Sequence, residues 1–488
     1  VIVYIVFFFL FIVALLRYVP VLRVPNASPW LMPVGFVVKM LVGCFFLYIY
    51  SYHYGVGELT DDACAFLHDS KILNDTFQKS PIDYFKFLFG LDDRALISQY
   101  LSETTQWDAG SSKWFNDAKN VVRVHSLIHF FSFGREIIHL MVMVLISLLG
   151  LRLMTIAILP FVKVSSTVVV LSLLLMPNVL FWSSGILKEP LIFFSMGLFL
   201  YAVLGTFTPI RKIILVLLSI TSLIGIKPYI LLCVVLALIS LFVFRSIKKV
   251  KIAFIVLIIL ISGSLLSLLT PPLKPVVNKL SDQQFDFINI GKGGVFARAD
   301  TCIFIIYGAD MPHVIINDVD STVILTRQVI GDYIKPNVKK NKKSCTIYPN
   351  ATPWKLYYDG VFSGSYITTT PIEGSSQTLL FNIPEAVNNV IFRPYPNDPP
   401  KSLYKYLTIF DGWGLLLFLV ITFLFFRREI SRKELNLIVV LLVFSLILTL
   451  LIGWTTPVIG AIIRYKVPVQ LAMMLVTLIL FNPKKIKK

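Results

Sequence analysis

The chain of 488 residues is 56% hydrophobic and only 15% charged, with a formal net charge of +18. Those proportions exclude an ordinary soluble globular domain. The basic residues stand in short clusters between apolar runs and form no soluble basic face, which excludes a nucleic-acid-binding domain as well.

Solid Leu/Ile/Val/Phe blocks recur from end to end. A bilayer core of about 30 Å takes about 20 apolar residues per helix, and every backbone polar group inside it must be satisfied within the segment. The blocks lack the alternation of barrel strands, so the fold expected is an all-α polytopic membrane protein. About eleven transmembrane helices are predicted, over residues 1–16, 31–50, 127–149, 166–180, 192–204, 213–224, 229–244, 252–269, 403–425, 437–451 and 467–481.

The opening "VIVYIVFFFLFIVALL" has no basic n-region and no cleavage site, and it reads as a retained helix. Arg17 and Arg23, Arg152, Arg211 and Lys212, "RSIKKVK", "RREISRKE" and "KKIKK" mark one side as cytoplasmic. Two long polar inserts, 51–126 and 270–401, fall on the other side, and inserts of that length favour a functional role. The organisation expected is a membrane core over 1–269 that includes the extracytoplasmic loop 51–126, an extracytoplasmic insert domain over 270–402, and C-terminal membrane helices over 403–488. The inner membrane of a prokaryote suits this map.

In the first insert, Ala63, Phe66, Leu67 and Leu73 suit an amphipathic helix on the membrane surface. The second contains "SYITTT", "TVILTRQVI" and "SCTIYP" between Gly, Pro and Asn, which predicts a small mixed α/β or β-rich domain. Five cysteines show no metal spacing; Cys302 and Cys345 share the second insert, where a disulfide and two free thiols are both open.

"GVGELTDDACAFLHDSKIL" gathers Glu58, Asp61, Asp62 and Asp69 at the mouth of a predicted span. Asp61 and Asp62 repel each other unless a cation, a donor or a substrate hydroxyl uses them. Helix capping by Thr60 or Asp61 is the plainer account. In "MPNVLFWSSGILKEPLIFF", Lys188 and Glu189 follow Trp182 at the outer end of a span, either facing a polar cavity or snorkelling to the interface. Lys227, Arg393, Arg464 and Lys466 map to that same side, where the positive-inside rule disfavours them, and an anionic lipid head group would account for them. Tyr229, Trp182 and Tyr465 are either interface-belt aromatics or sugar-stacking groups. His53, His68, His125, His129 and His139 show no HExxH spacing. A divalent cation, Mg²⁺ or Mn²⁺, held by Asp61 or Asp62 with waters, stays open.

With "TDDACAFLHDSKIL" in its first large outer loop, and "PNVLFWSSGILKE" and "GAIIRYKVP" in order after it, the chain resembles the GT-C superfamily of integral-membrane glycosyltransferases, in particular its bacterial cell-surface polysaccharide members. The resemblance implies a GT-C-like fold with Asp61 or Asp62 at the catalytic acidic position, and a donor sugar joined through phosphate to a polyprenol. Inverting transfer to a glycan, lipid or protein acceptor would then use the pair as base or metal ligand. Glu58, Asp69, Trp182, Lys188, Glu189, Lys227, Tyr229, Arg393, Arg464, Tyr465 and Lys466 would line the substrate. Rival expectations are an O-antigen-type polymerase or ligase relying on Arg123, Arg393 and His125, a transporter or flippase, and a non-catalytic subunit holding a protein partner through the 270–402 insert.

Overall fold

The computed structural model describes residues 1–107, 114–246, 274–299, 302–317, 319–334, 343–360, 363–372, 376–399, 403–427 and 429–483. In chain order its helices are α1 (Ile2–Tyr18), α2 (Leu31–Tyr48), α3 (Asp61–Lys79), α4 (Pro81–Leu88), α5 (Arg94–Tyr100), α6 (Asp117–Ser132), α7 (Glu136–Ile158), α8 (Ser166–Leu174), α9 (Pro177–Trp182), α10 (Glu189–Leu204), α11 (Pro209–Ile226), α12 (Pro228–Ser246), α13 (Lys274–Lys292), α14 (Ser376–Phe381), α15 (Ile383–Val387), α16 (Leu403–Leu424), α17 (Arg432–Thr455), α18 (Ile459–Tyr465) and α19 (Val467–Leu480). Seven strands lie between α13 and α14: β1 (Gly294–Ala299), β2 (Cys302–Tyr307), β3 (Val314–Asn317), β4 (Thr322–Leu325), β5 (Val329–Ile334), β6 (Lys343–Ile347) and β7 (Trp354–Gly360).

The protein is a membrane protein. Among the described residues five helices are long and apolar enough to cross a bilayer: Leu31–His53, Glu136–Phe161, Pro209–Ile226, Lys405–Leu424 and Arg432–Thr455. A sixth results if α18 and α19, bent by 44° at their junction, form one span, and Ile2–Tyr18, Glu189–Leu204 and Pro228–Phe242 are shorter apolar helices. Eleven full-length spans are therefore not reached among the described residues, and the segment expected at 252–269 lies outside them. Two other expected spans are broken. The 127–149 block is interrupted by left-handed backbone at Phe133 (φ 51°) and Gly134 (φ 72°), which ends α6 before α7 begins. The 166–180 block divides at Pro177, which starts the six-residue α9, since proline cannot continue the ladder of the preceding turn.

The chain divides into two compact units, one made of Val1–Ile239, Leu417–Phe444 and Gln470–Lys488, the other of Ser240–Leu416 and Ser445–Val469. The C-terminal helices expected as one block over 403–488 are thus shared between units. Within the second unit Leu450 and Trp454 of α17 close a core with Val277, Ile372, Leu379 and Ala386.

In the first unit, α7 and α10 approach through glycine. A Cβ on Gly150 would lie 2.6 Å from Phe193 O, and one on Gly197 would collide with Gly150 O. Only the absence of a side chain lets these backbones meet. α3 is amphipathic: of the residues expected on its apolar face, Ala63, Phe66 and Leu73 are buried and Leu67 is half-buried, while Cys64, His68 and Lys71 face outward.

The second unit carries the seven-stranded sheet, in the order β3-β4-β7-β1-β2-β5-β6 and antiparallel throughout. Val295, Ala297, Ile306, Val323 and Leu325 are buried on one face, and Ile305 is buried on the other. "TVILTRQVI" supplies β4 and the start of β5, and "SCTIYP" supplies most of β6. "SYITTT" is no strand: Tyr366 makes an isolated bridge to Val458. The backbone beside it is satisfied by side chains instead, with Gln284 Nε2 donating to Thr370 O and Thr370 N donating to Glu385. The register also separates Cys302 from Cys345. Cys345 pairs with Gly331, Gly331 with Ile306, and Cys302 lies four residues from Ile306 on β2. Two strand spacings and four residues amount to about 16 Å between Cα atoms, whereas a disulfide tolerates about 7 Å.

Candidate functional site

The approach to the acidic pair is a tightly wound turn. α2 continues into one π-helical turn, Ile49–His53, and the Gly57 amide then donates back to Ser51 O at 2.9 Å. Gly57 has φ +98°, and a Cβ on Gly55 would collide with Glu58 O; no other residue type fits that pair of positions without strain. The Thr60 hydroxyl donates to Tyr50 O at 2.8 Å and makes no side-chain cap on α3. Capping by Thr60 is thereby removed as the reason for the local sequence. Asp61 is exposed and left-handed at φ +55°, Asp62 is half-buried, and Glu58 is exposed. Left-handed backbone on a residue with a Cβ costs about 1–2 kcal/mol, and such positions concentrate at functional sites.

Around the start of α3 the structure assembles residues distant in sequence. Asp117, in the first turn of α6, accepts from Lys188 Nζ at 2.8 Å and lies 3.6 Å from Lys227 Nζ. The Lys188 ammonium lies 5.5 Å from the Phe66 ring centroid, and Lys227 stands 5.5 Å from that of Tyr229. Phe66 is one helical turn after Asp62, so both belong to the same face of α3. Burial alone would raise the Asp117 carboxyl, but the Lys188 and Lys227 ammonium groups outweigh it and hold the group below the ordinary carboxylate range. Two ammonium groups thus converge on one carboxylate.

A second layer fixes this cluster. The Asn116 side chain caps α6 by accepting from Lys119 N, and Asn120 Nδ2 donates to Gly225 O at 2.7 Å, tying α6 to the end of α11 just before Lys227. Arg123 donates from Nη1 to Asn120 Oδ1 and from Nε to Phe87 O, its guanidinium 5.0 Å from Trp107 and 5.4 Å from Trp114. Burial pulls its pKa down to about 10, against the neighbouring Asp92 carboxylate.

Other expected site residues have different surroundings. Asp69 is fully buried and accepts from Thr105 N at 3.0 Å and Gln106 N at 2.6 Å, which makes it a clamp on the loop after α5. Glu189 is buried in the first turn of α10, where an acid suits the positive end of the helix. Trp182 closes α9 with its ring against Phe181. Arg123 and His125, central to a polymerase or ligase reading, are 5% and 0% exposed and engaged with protein groups.

Arg393, Arg464, Tyr465 and Lys466 belong to the second unit. Arg393 pairs with Asp398 at 2.8 Å, and Asp398 also accepts from Tyr395 N. Lys466, 2% exposed, donates to Arg393 O at 2.9 Å and Val390 O at 3.3 Å. Those carbonyls use the ammonium to anchor the 388–393 segment. Arg464 is half-buried, and Tyr465 packs edge-on to Phe287 at 6.2 Å.

Two residues here were not anticipated from sequence. Asp117 was legible only as a cap-like "FND" before a helix. Lys39 stands in the middle of the Leu31–His53 span, 1% exposed, its Nζ donating to the Ser183 hydroxyl; a lysine inside "GFVVKMLVG" is itself a signal. Ser183 begins a buried non-helical run to Leu187 that separates α9 from Lys188 and α10. Irregular backbone at membrane depth persists only where protein or a cavity surrounds it.

Among the described residues no group of three or more His, Cys, Asp or Glu side chains is placed to hold a metal ion, so Asp61 and Asp62 gain no third such ligand. No protein-family model, curated protein or solved structure matches the chain.

Proposed function

We propose that the protein is a membrane glycosyltransferase of GT-C type, moving a sugar from a polyprenyl-phosphate-linked donor to a glycan, lipid or protein hydroxyl on the extracytoplasmic face of a prokaryotic inner membrane. The observation that carries this reading is the convergence of Lys188 and Lys227 on Asp117, with Lys188 over Phe66 on the α3 face that includes Asp62. The two converging ammonium groups suit a lipid-linked phosphate, and the carboxylates of Asp61 and Asp62 suit a proton acceptor.

In the reaction proposed, the acceptor oxygen bonds to the anomeric carbon while the bond from that carbon to the phosphate oxygen breaks. The lipid phosphate leaves with the electron pair. The hydroxyl proton passes to Asp61 or Asp62, a general-base contribution of about 10²–10⁴ in rate. Lys188 and Lys227 stabilise the departing phosphate in surroundings drier than water. The 270–402 insert is assigned to acceptor or partner binding.

The test is transfer from a polyprenyl-phosphate sugar by the purified chain in nanodiscs. Asp61→Asn with Asp62→Asn should abolish transfer with the melting temperature preserved, and Lys188→Met should weaken donor binding. Full activity in the double Asn variant would end the proposal. One observation favours a second reading: Lys39 is an ionisable group in mid-membrane, as in transporters. Movement of the lipid-linked sugar between leaflets without any new glycosidic bond would select it.

A further inference from the structure

At the other end of the first unit's helices, three arginines are chained together. Arg23 donates from Nε to Arg17 O at 3.0 Å and from Nη2 to Tyr18 O at 3.1 Å, closing the C-terminus of α1. Arg152, two turns before the end of α7, donates from Nε to Arg23 O at 2.8 Å. The Arg17 guanidinium lies 5.0 Å from the Trp30 ring and 5.4 Å from Tyr18, and its buried Nε meets no acceptor. A guanidinium carries five N–H donors, so most of those in the cluster are left over. None of the three arginines has a carboxylate partner among the described residues.

The sequence makes the lack of counter-charge systematic. No Asp or Glu occurs in residues 1–57 or 137–188, the stretches that carry the three arginines, and Lys163 in the turn after α7 adds one more exposed cation. The side chains of Arg23 and Arg152 are tied to the backbone of residues 17–23, and the half-buried Arg17 guanidinium stands over Tyr18 and Trp30. With no carboxylate partner for any of the three among the described residues, they form an incomplete electrostatic unit. The surroundings say what completes it. Tyr18, Val21 and Trp30 are 69%, 74% and 53% exposed beside the cluster, the mixture of aromatic and apolar surface that sits at a lipid–water boundary.

We infer that Arg17, Arg23 and Arg152 form a binding site for the phosphodiester head group of an anionic phospholipid, with Tyr18 and Trp30 against its glycerol and upper acyl region. Guanidinium forks match phosphate oxygens bidentately, which a lysine cluster would not do. The site depends on the chain being a membrane protein and not on any transferase activity.

The experiment titrates the full-length protein in detergent micelles with phosphatidylglycerol or phosphatidylcholine, read by native mass spectrometry and thermal shift. The expected preference for phosphatidylglycerol is about tenfold or more, from the surface-charge contribution of each arginine. Arg17→Gln with Arg152→Gln keeps the Arg23 cap on α1 and should reduce the preference to within about twofold. Arg17→Lys with Arg152→Lys should retain part of it, and Lys86→Gln, remote and paired with Asp83, should leave it whole. Equal binding of the two lipids by the unaltered protein, or an undiminished preference in the Gln variant, overturns the assignment. Competition by inorganic phosphate at millimolar concentration makes it a soluble-phosphate site and overturns the lipid assignment also. Should the Gln variant fail to fold, the comparison of the two lipids on the unaltered protein decides alone.

Discussion

His125 Nδ1 lies 2.9 Å from His139 Nδ1, and both rings are fully buried. One ring must donate and the other accept. His139 Nε2 is 2.9 Å from the Ser132 hydroxyl, whereas His125 Nε2 is buried without a partner. An orphaned acceptor costs less than an orphaned N–H, which assigns the shared proton to His125 Nδ1. His129 adds a third contact by donating to the Ser70 hydroxyl, because that hydroxyl is itself committed to Leu67 O. The histidines thus join α3, α6 and α7.

This network makes the fold acid-sensitive. Burial, with the adjacent His129, pushes the His125 imidazole down to about 3 from its usual 6.5. Below about pH 6.5 the unfolded chain binds a proton that the folded chain refuses, so stability falls as pH falls, by up to about 1.4 kcal/mol per pH unit for this group. The decline ends near the folded value of about 3. Melting temperature should be insensitive to this group above about pH 7 and drop between about pH 6 and 4. His125→Leu should flatten the slope there; an unchanged slope would place the acid sensitivity elsewhere.

Lys39 and Ser183 predict an asymmetric mutational pair. Ser183→Ala leaves a buried amine with no acceptor, a cost of about 1–3 kcal/mol. Lys39→Met removes the polar group while keeping its volume and should be milder. With both changes together, the loss should be smaller than for Ser183→Ala alone. Thermal unfolding of the four proteins measures it, and simple additivity would deny the bond.

Gly150 and Gly197 set the spacing of α7 and α10, so Gly197→Ala should destabilise by about 1–3 kcal/mol through overpacking. Gly364, whose added Cβ would meet nothing within 4 Å, is the control, and its alanine variant should lie within about 0.5 kcal/mol of the parent.

Asp69→Asn should loosen the loop without touching the Asp117 cluster. The carboxylate accepts two backbone amides, and an amide side chain would turn a donor toward one of them. A loss of about 1–3 kcal/mol is expected, with faster proteolysis near Thr105. Unchanged proteolysis would show that the clamp is dispensable.

Much of this architecture was readable from apolar runs, because length and composition alone decide what can cross a bilayer. α2, α3 and α16 followed from that signal or from amphipathic spacing. Averaged hydropathy, however, passed over the reversal at Phe133 and Gly134, where two left-handed residues divide one greasy block into two helices. "SYITTT" has strand composition, but Gln284 and Glu385 supply the bonds that a neighbouring strand would have made. At the candidate site, Lys188 and Lys227 stood out as cations on a disfavoured side. Asp117, which joins them, looked like any helix-capping acid until the fold brought α6, α10 and α11 together.

The short peptide from Ser183 to Lys188 is tethered at both extremities, to α2 through Lys39 and to α6 through Asp117. Five residues reach at most about 18 Å, which bounds the separation of the two moorings. A ligand that takes the Lys188 ammonium from Asp117 would release one of them and leave the peptide held to α2 through Ser183 and Lys39.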